Sequence, residues 1–251
     1  MGGWSALPRT VALGVMVLVL LSGCATRSIS NSGYPGQSYN PLYHGELSEF
    51  DVIGVDPTSG STDAAIAHAL DMHRKPVLRR GDAIILVQSG ALLPDDTMLQ
   101  AMAPLFDVKS FSGVPLTRNG VPQYAAAPPV NSPDYSSALR MAAARAGAET
   151  IVCYWGVLES ARAGEASKLV SWVPVVGSVV PDETQRMRIR LRMIVVDVRS
   201  GGWAMFSPDA LDDAALSASI NRESSDQDQV ARLKLAAYKA ATSQLIAQFS
   251  P

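Results

Sequence analysis

AARAGAETIVCYWG, residues 143–156, closes one helix and opens one strand, and the architecture follows from that junction. Upstream, Asp134 or Ser136 starts a helix in which Ala138, Leu139, Ala142 and Ala146 share a face narrow enough for close packing, and Gly147 ends it. Downstream, residues 150–155 form an apolar run of strand type. Only Gly147, Ala148 and Glu149 separate the two. A helix passed so directly into a strand is the grammar of an α/β domain.

Towards the amino terminus the same grammar repeats. Residues 83–87 (AIILV) read as a strand buried on both faces. Pro94, Asp95 and Asp96 put a proline and two acids at a helix start, where they suit the unpaired amides and the dipole, and Met98, Leu99 and Met102 continue that helix to about Ala103. A second strand falls within 106–114. Residues 115–135, with five prolines, read as a long irregular excursion. Earlier still, Ser61 or Thr62 caps a helix to about His73 with Ala65, Ile66, Ala69 and Leu70 on one side, and Pro76 stops it.

Towards the carboxyl terminus, strict alternation begins at Gln185. Met187, Ile189, Leu191 and Met193 point one way; Arg186, Arg188, Arg190 and Arg192 point the other. Residues 197–203 (DVRSGGW) make a glycine turn into a short strand at 203–206. Residues 207–229 read as a polar, flexible connection, and 227–248 as a closing helix with Val230, Leu233, Ala237, Ala241 and Leu245 on one stripe. The expectation is an α/β fold, with α+β as the alternative: a single domain of two or three layers over 46–251, core 78–249, with a mixed sheet of four or five strands and a closing carboxyl-terminal helix.

The first residues have another purpose. An apolar run at 11–21 leads into Leu21-Ser22-Gly23-Cys24, the pattern of a secretory signal. The tetrapeptide resembles the lipobox of bacterial lipoproteins, which implies a signal peptide over 1–23, cleavage between Gly23 and Cys24, and acylation of the Cys24 thiol as an anchor in the lipid bilayer. Eleven apolar residues are too few to span a bilayer comfortably. Ala25, in place of an aspartate, implies sorting to the outer membrane, with the domain facing the periplasm. Residues 24–45, rich in Ser, Asn, Gly, Pro and Tyr, read as a flexible tether.

Removing residues 1–23 from 251 leaves 228, and the net charge moves from −2 to −3 with the loss of Arg9. That balance offers no attraction to nucleic acid. With Cys24 committed to lipid, Cys153 has no intramolecular partner in an oxidising compartment and is expected to be buried.

Gly147-Ala148-Glu149 before a strand, and Asp197 through Trp203 after one, resemble a group of outer-membrane lipoproteins: the curli secretion lipoprotein, the activators of penicillin-binding proteins, and relatives with domains similar to the amino-terminal domain of TolB. The resemblance covers roughly residues 78–249 and implies a fold, not an activity. It departs in the proline-rich segment 115–135 and in lacking hairpins long enough for a membrane barrel.

For catalysis the residues offer little. His44 lies in the tether, while His68 and His73, five residues apart on a helix, diverge by about 140° and do not converge on a metal. The sequence holds no HExxH, no GxSxG and no Walker-type glycine loop, so no metal, cofactor or catalytic residue is assigned. Asp95-Asp96 reads as helix-start charge and Asp212-Asp213 as part of a solvated loop. Two features suit contacts instead. The row Arg186, Arg188, Arg190 and Arg192 spaces cations about 7 Å apart on one sheet face, able to meet phosphates or an acidic partner, or to pair with Glu159 and Glu165. Residues 169–181 (LVSWVPVVGSVVP) are uncharged between two strands. Trp172, Val173, Val175 and Val176 there either cover their own sheet or meet a membrane surface or a second chain, and a second chain, a copy of this one or an envelope partner, is expected to cover Trp172 and Val175. The resulting expectation is a membrane-anchored, non-catalytic envelope interaction or assembly factor, with an envelope peptidase or glycan hydrolase as the alternative.

Overall fold

The structure, a computed structural model, describes residues 25–32, 43, 45–57, 60–115, 135–162, 184–216 and 222–251. In chain order the elements are β1 (Ala25–Ser28), a 3-10 turn (Ile29–Asn31), α1 (Glu49–Ile53), α2 (Asp63–Met72), β2 (Ala83–Ser89), α3 (Asp96–Met102), β3 (Asp107–Gly113), α4 (Tyr135–Arg145), β4 (Thr150–Arg162), β5 (Thr184–Asp197), β6 (Trp203–Phe206), β7 (Leu211–Leu216) and α5 (Arg222–Phe249).

One mixed sheet runs β3-β2-β4-β5-β6, with β1 added to β4 and β7 to β5. β2 is parallel to both β3 and β4, whereas β4 and β5 form a long antiparallel pair from Thr150↔Asp197 to Arg162↔Gln185. The sheet therefore has two zones. Its lower zone has β2, β3 and β6 beside the central pair. In its upper zone β4 and β5 continue past the end of β2, with β1 alongside residues 157–160 and β7 alongside residues 184–189.

Helices cover both faces of the lower zone, giving three layers. Ile84, Leu86, Val152, Tyr154 and Met193 face Met98 and Met102 of α3 and Leu233, Ala241 and Leu245 of α5. Ile85, Val87, Ile151, Cys153, Ile194 and Val196 face Leu139 and Ala143 of α4 and Val52 of α1. β2 is apolar on both sides because both sides are buried. In β5 the alternation serves a different geometry. Met187, Ile189 and Leu191 are buried on the α5 side, while Arg190 and Arg192 lie exposed on the side that α4 does not reach. The fold is the expected α/β domain with its closing helix, and Cys153 is fully buried.

Several boundaries differ. Residues 25–32, expected inside a flexible tether, instead make a strand and a 3-10 turn, with Ile29 only 1% exposed. The physical reason lies on β4: at Gly156 an added Cβ would stand 2.6 Å from Ile29 Cδ1, so the missing side chain is the seat that Ile29 fills. Polar composition masked one apolar residue with a dedicated place. The connection expected at 207–229 contains β7, and α5 begins at Arg222. The 197–203 turn matches expectation: the Asp197 carboxylate accepts from the Ser200 amide at 2.6 Å, and Gly201 takes φ 73°. α2 is capped by Thr62, whose hydroxyl accepts from the Ala65 amide at 3.2 Å, yet Ile66 and Leu70 are exposed.

Candidate functional site

In α/β sheets, ligands bind beyond the carboxyl ends of the parallel strands. β2 ends there with Gln88 and Ser89, both 1% exposed, so these polar groups need partners. The Gln88 side-chain oxygen accepts from the Asp95 amide at 2.7 Å and from the Tyr154 hydroxyl. Its nitrogen donates to Ser30 Oγ at 3.0 Å, and Ser30 Oγ donates to the Ser89 carbonyl at 2.6 Å. Asp95 stands at the start of α3, but its side chain makes no cap hydrogen bond. Its Oδ2 instead accepts from Tyr238 at 2.6 Å and from Lys234 Nζ at 2.9 Å, both on α5. Lys234 also donates to the Ile29 carbonyl at 3.0 Å. Asp95 thus stands at the helix start as expected and is in addition an electrostatic tie between α3, α5 and the amino-terminal segment.

Burial pushes the Tyr154 and Tyr238 hydroxyls well above the usual phenol range, with the Asp95 charge a lesser cause. Burial likewise pushes up the Cys153 thiol. A protonated, enclosed thiol is a poor nucleophile. The crevice is therefore a closed set of donors and acceptors with the chain's own Ile29–Asn31 turn inside it. On the opposite face a second anchor is made: Leu47 donates its amide to Ser89 Oγ at 2.9 Å and accepts from Trp155 Nε1 at 2.7 Å.

The arginine row stands on the upper zone. Arg190 pairs with Glu159, Arg192 with Glu49, and Arg188 Nε lies 3.4 Å from Asp212 and 4.0 Å from Glu159. Asp212, expected in a solvated loop, is in β7 opposite Arg188. Arg186 is in backbone register with Ala161 and Ala214. Arg188, Arg190 and Arg192 are laced by carboxylates from β4, β7 and α1, which lowers their net positive field.

Among the described residues, no cluster of His, Cys, Asp and Glu has the makings of a metal site, and no helix is long and apolar enough to cross a membrane. Gly23, Cys24, His44, Trp172, Val173, Val175, Val176, Glu165 and residues 116–134 lie outside the described residues. The sequence reading did not single out Ser30, Gln88, Tyr154, Lys234 or Tyr238. A signal existed: Lys234 and Tyr238 are polar neighbours, four apart, on a helix whose stripe is otherwise apolar.

Two solved structures are similar in part. A neuraminyllactose-binding hemagglutinin homolog from Helicobacter pylori shares 12% identity at a TM-score of 0.32, over 70% of this chain and 87% of that one. The hypothetical protein CT253 from Chlamydia trachomatis shares 11% identity at a TM-score of 0.30, over 66% of this chain and 96% of that one. No curated protein matches the sequence. The model of the YafT bacterial lipoprotein family matches residues 48–248, the body of the sheet and its helices, and the chain belongs to that family.

Proposed function

We propose that the chain is cleaved between Gly23 and Cys24, acylated on Cys24, and acts on the periplasmic face of the outer membrane as a non-catalytic factor that binds an envelope protein or the cell wall. The observation that carries the reading is the filled crevice. Gln88, Ser89, Asp95, Tyr154 and Tyr238 occupy the place where an α/β enzyme holds its substrate, and their hydrogen bonds go to one another, to Lys234, to Leu47 and to the Ile29–Asn31 turn. A substrate would have to displace part of the fold to reach them.

The test has two arms. Labelled palmitate should enter the wild-type protein and not Cys24→Ser, which should leave the membrane fraction. In-cell crosslinking from exposed positions such as Leu70 and Met72 should then capture a defined envelope partner. Cleavage of envelope peptides or glycans by the purified mature protein would overturn the non-catalytic assignment.

A further inference from the structure

We infer that the upper edge of the sheet is the membrane-facing end of the domain, the end nearest the headgroups of the bilayer that carries the acyl chains. The inference rests on acylation at Cys24. β1 begins at Ala25, the very next residue, and Ala25 pairs with Ser160 two residues before β4 ends at Arg162. One Cα-to-Cα step of about 3.8 Å separates the acylated position from a residue already fixed in the sheet. A tether spanning residues 24–45 would instead give an r.m.s. reach of about 25 Å.

The direction of β1 adds to this. It runs antiparallel to β4, so its amino-terminal end points out of the upper edge, past Ser160 and towards the level of Arg162 and Gln185. The segment behind it is fastened: Ile29 is buried over Gly156, and its carbonyl and the Ser30 hydroxyl are hydrogen-bonded to Lys234 and Ser89. The domain therefore stands on its edge. The row Thr26, Glu159, Arg188 and Asp212 crosses the sheet at one height, close to the lipid. Thr150 lies ten residues below Ser160 on β4, about 33 Å away at 3.3 Å per residue. With it lies the 197–202 turn.

The occupant is lipid because only the one peptide step from Cys24 to Ala25 lies between the acyl chains and β1. The measurement uses the full acylated protein in liposomes containing a headgroup-nitroxide lipid. An environment-sensitive fluorophore is placed at Thr26→Cys, at Asp212→Cys, or at the distal control Ser200→Cys; Cys153 is buried and stays unlabelled. Quenching should remove most of the emission at Thr26 and Asp212 and leave Ser200 nearly untouched. The Asp212 probe lies at the same height on a different strand, so a disturbed β1 does not decide the result alone. Inserting about 20 Gly and Ser residues between Cys24 and Ala25 should abolish the difference. Equal quenching at all three sites, or none at Thr26 and Asp212 in protein that is labelled with palmitate and bound to liposomes, overturns the orientation. Failure of labelling and binding would instead remove the acylation reading beneath it.

Discussion

Replacing Gly156 by alanine tests whether the amino-terminal segment is a built part of the domain. The new Cβ would lie 2.6 Å from Ile29 Cδ1, 2.9 Å from Ile29 Cγ1 and 2.8 Å from Leu191 Cδ2, all inside van der Waals contact. Two of these three contacts, including the shortest, are to Ile29, so Ile29 bears most of the overlap. Overpacking of this kind costs about 1 to 3 kcal/mol. Ile29→Ala alone should cost about 2 to 5 kcal/mol, because a fully buried aliphatic side chain is lost and a cavity remains. The two changes share one volume and must couple: Gly156→Ala with Ile29→Ala should be less destabilising than the two single effects added together, by about 0.5 kcal/mol or more. The assay is chemical and thermal unfolding of the mature domain, in which each kcal/mol shifts the midpoint by about 2 to 4 °C at this size. Strict additivity, or a neutral Gly156→Ala, would refute the seating of Ile29.

Asp95→Asn keeps the side-chain volume and removes the charge that Lys234 and Tyr238 share, so denaturant unfolding should report a loss of about 1 to 3 kcal/mol, and no measurable loss would mean the cluster is not coupled in solution. Alkali should act through the tyrosines. In the unfolded chain Tyr154 and Tyr238 ionise near pH 10, whereas in the fold burial raises them well above that. Above pH 10 the folded state thus holds more protons, and stability falls as pH rises. Ultraviolet titration should show their tyrosinate absorbance appearing together with unfolding, and a gradual rise in the intact fold would contradict their enclosure.

The helix-strand junction at Gly147, the alternation of β5 and the 197–203 turn were legible because each is a local pattern with a local cause. The Arg188-to-Asp212 contact was not, since it needs β7 beside β5, and the sequence 207–229 has no apolar run longer than Ala214-Ala215-Leu216 to announce a strand. Ile29 is the sharper case. One aliphatic residue in a polar stretch has no periodicity, and its meaning depends on a glycine 127 positions later, at 156. Asp95 was legible as a charge at a helix start and illegible as a partner of Lys234 and Tyr238, which lie 139 and 143 residues away. Long-range polar closure is the part of a fold that composition and spacing hide.

The four register pairs of β1 on β4 also set how the molecule bears load. Any tension applied ahead of Ala25 and directed out of the upper edge acts along the axis of β1, so its hydrogen bonds are sheared together instead of being peeled one after another. The Lys234 and Ser30 bonds behind Ile29 take up the remainder and pass it to α5 and β2. A drag on the envelope is therefore delivered into β4, at the centre of the sheet. The lifetime of the attached state under such a pull is set by the rate at which this short strand slips, a kinetic quantity separate from the free energy of the whole domain.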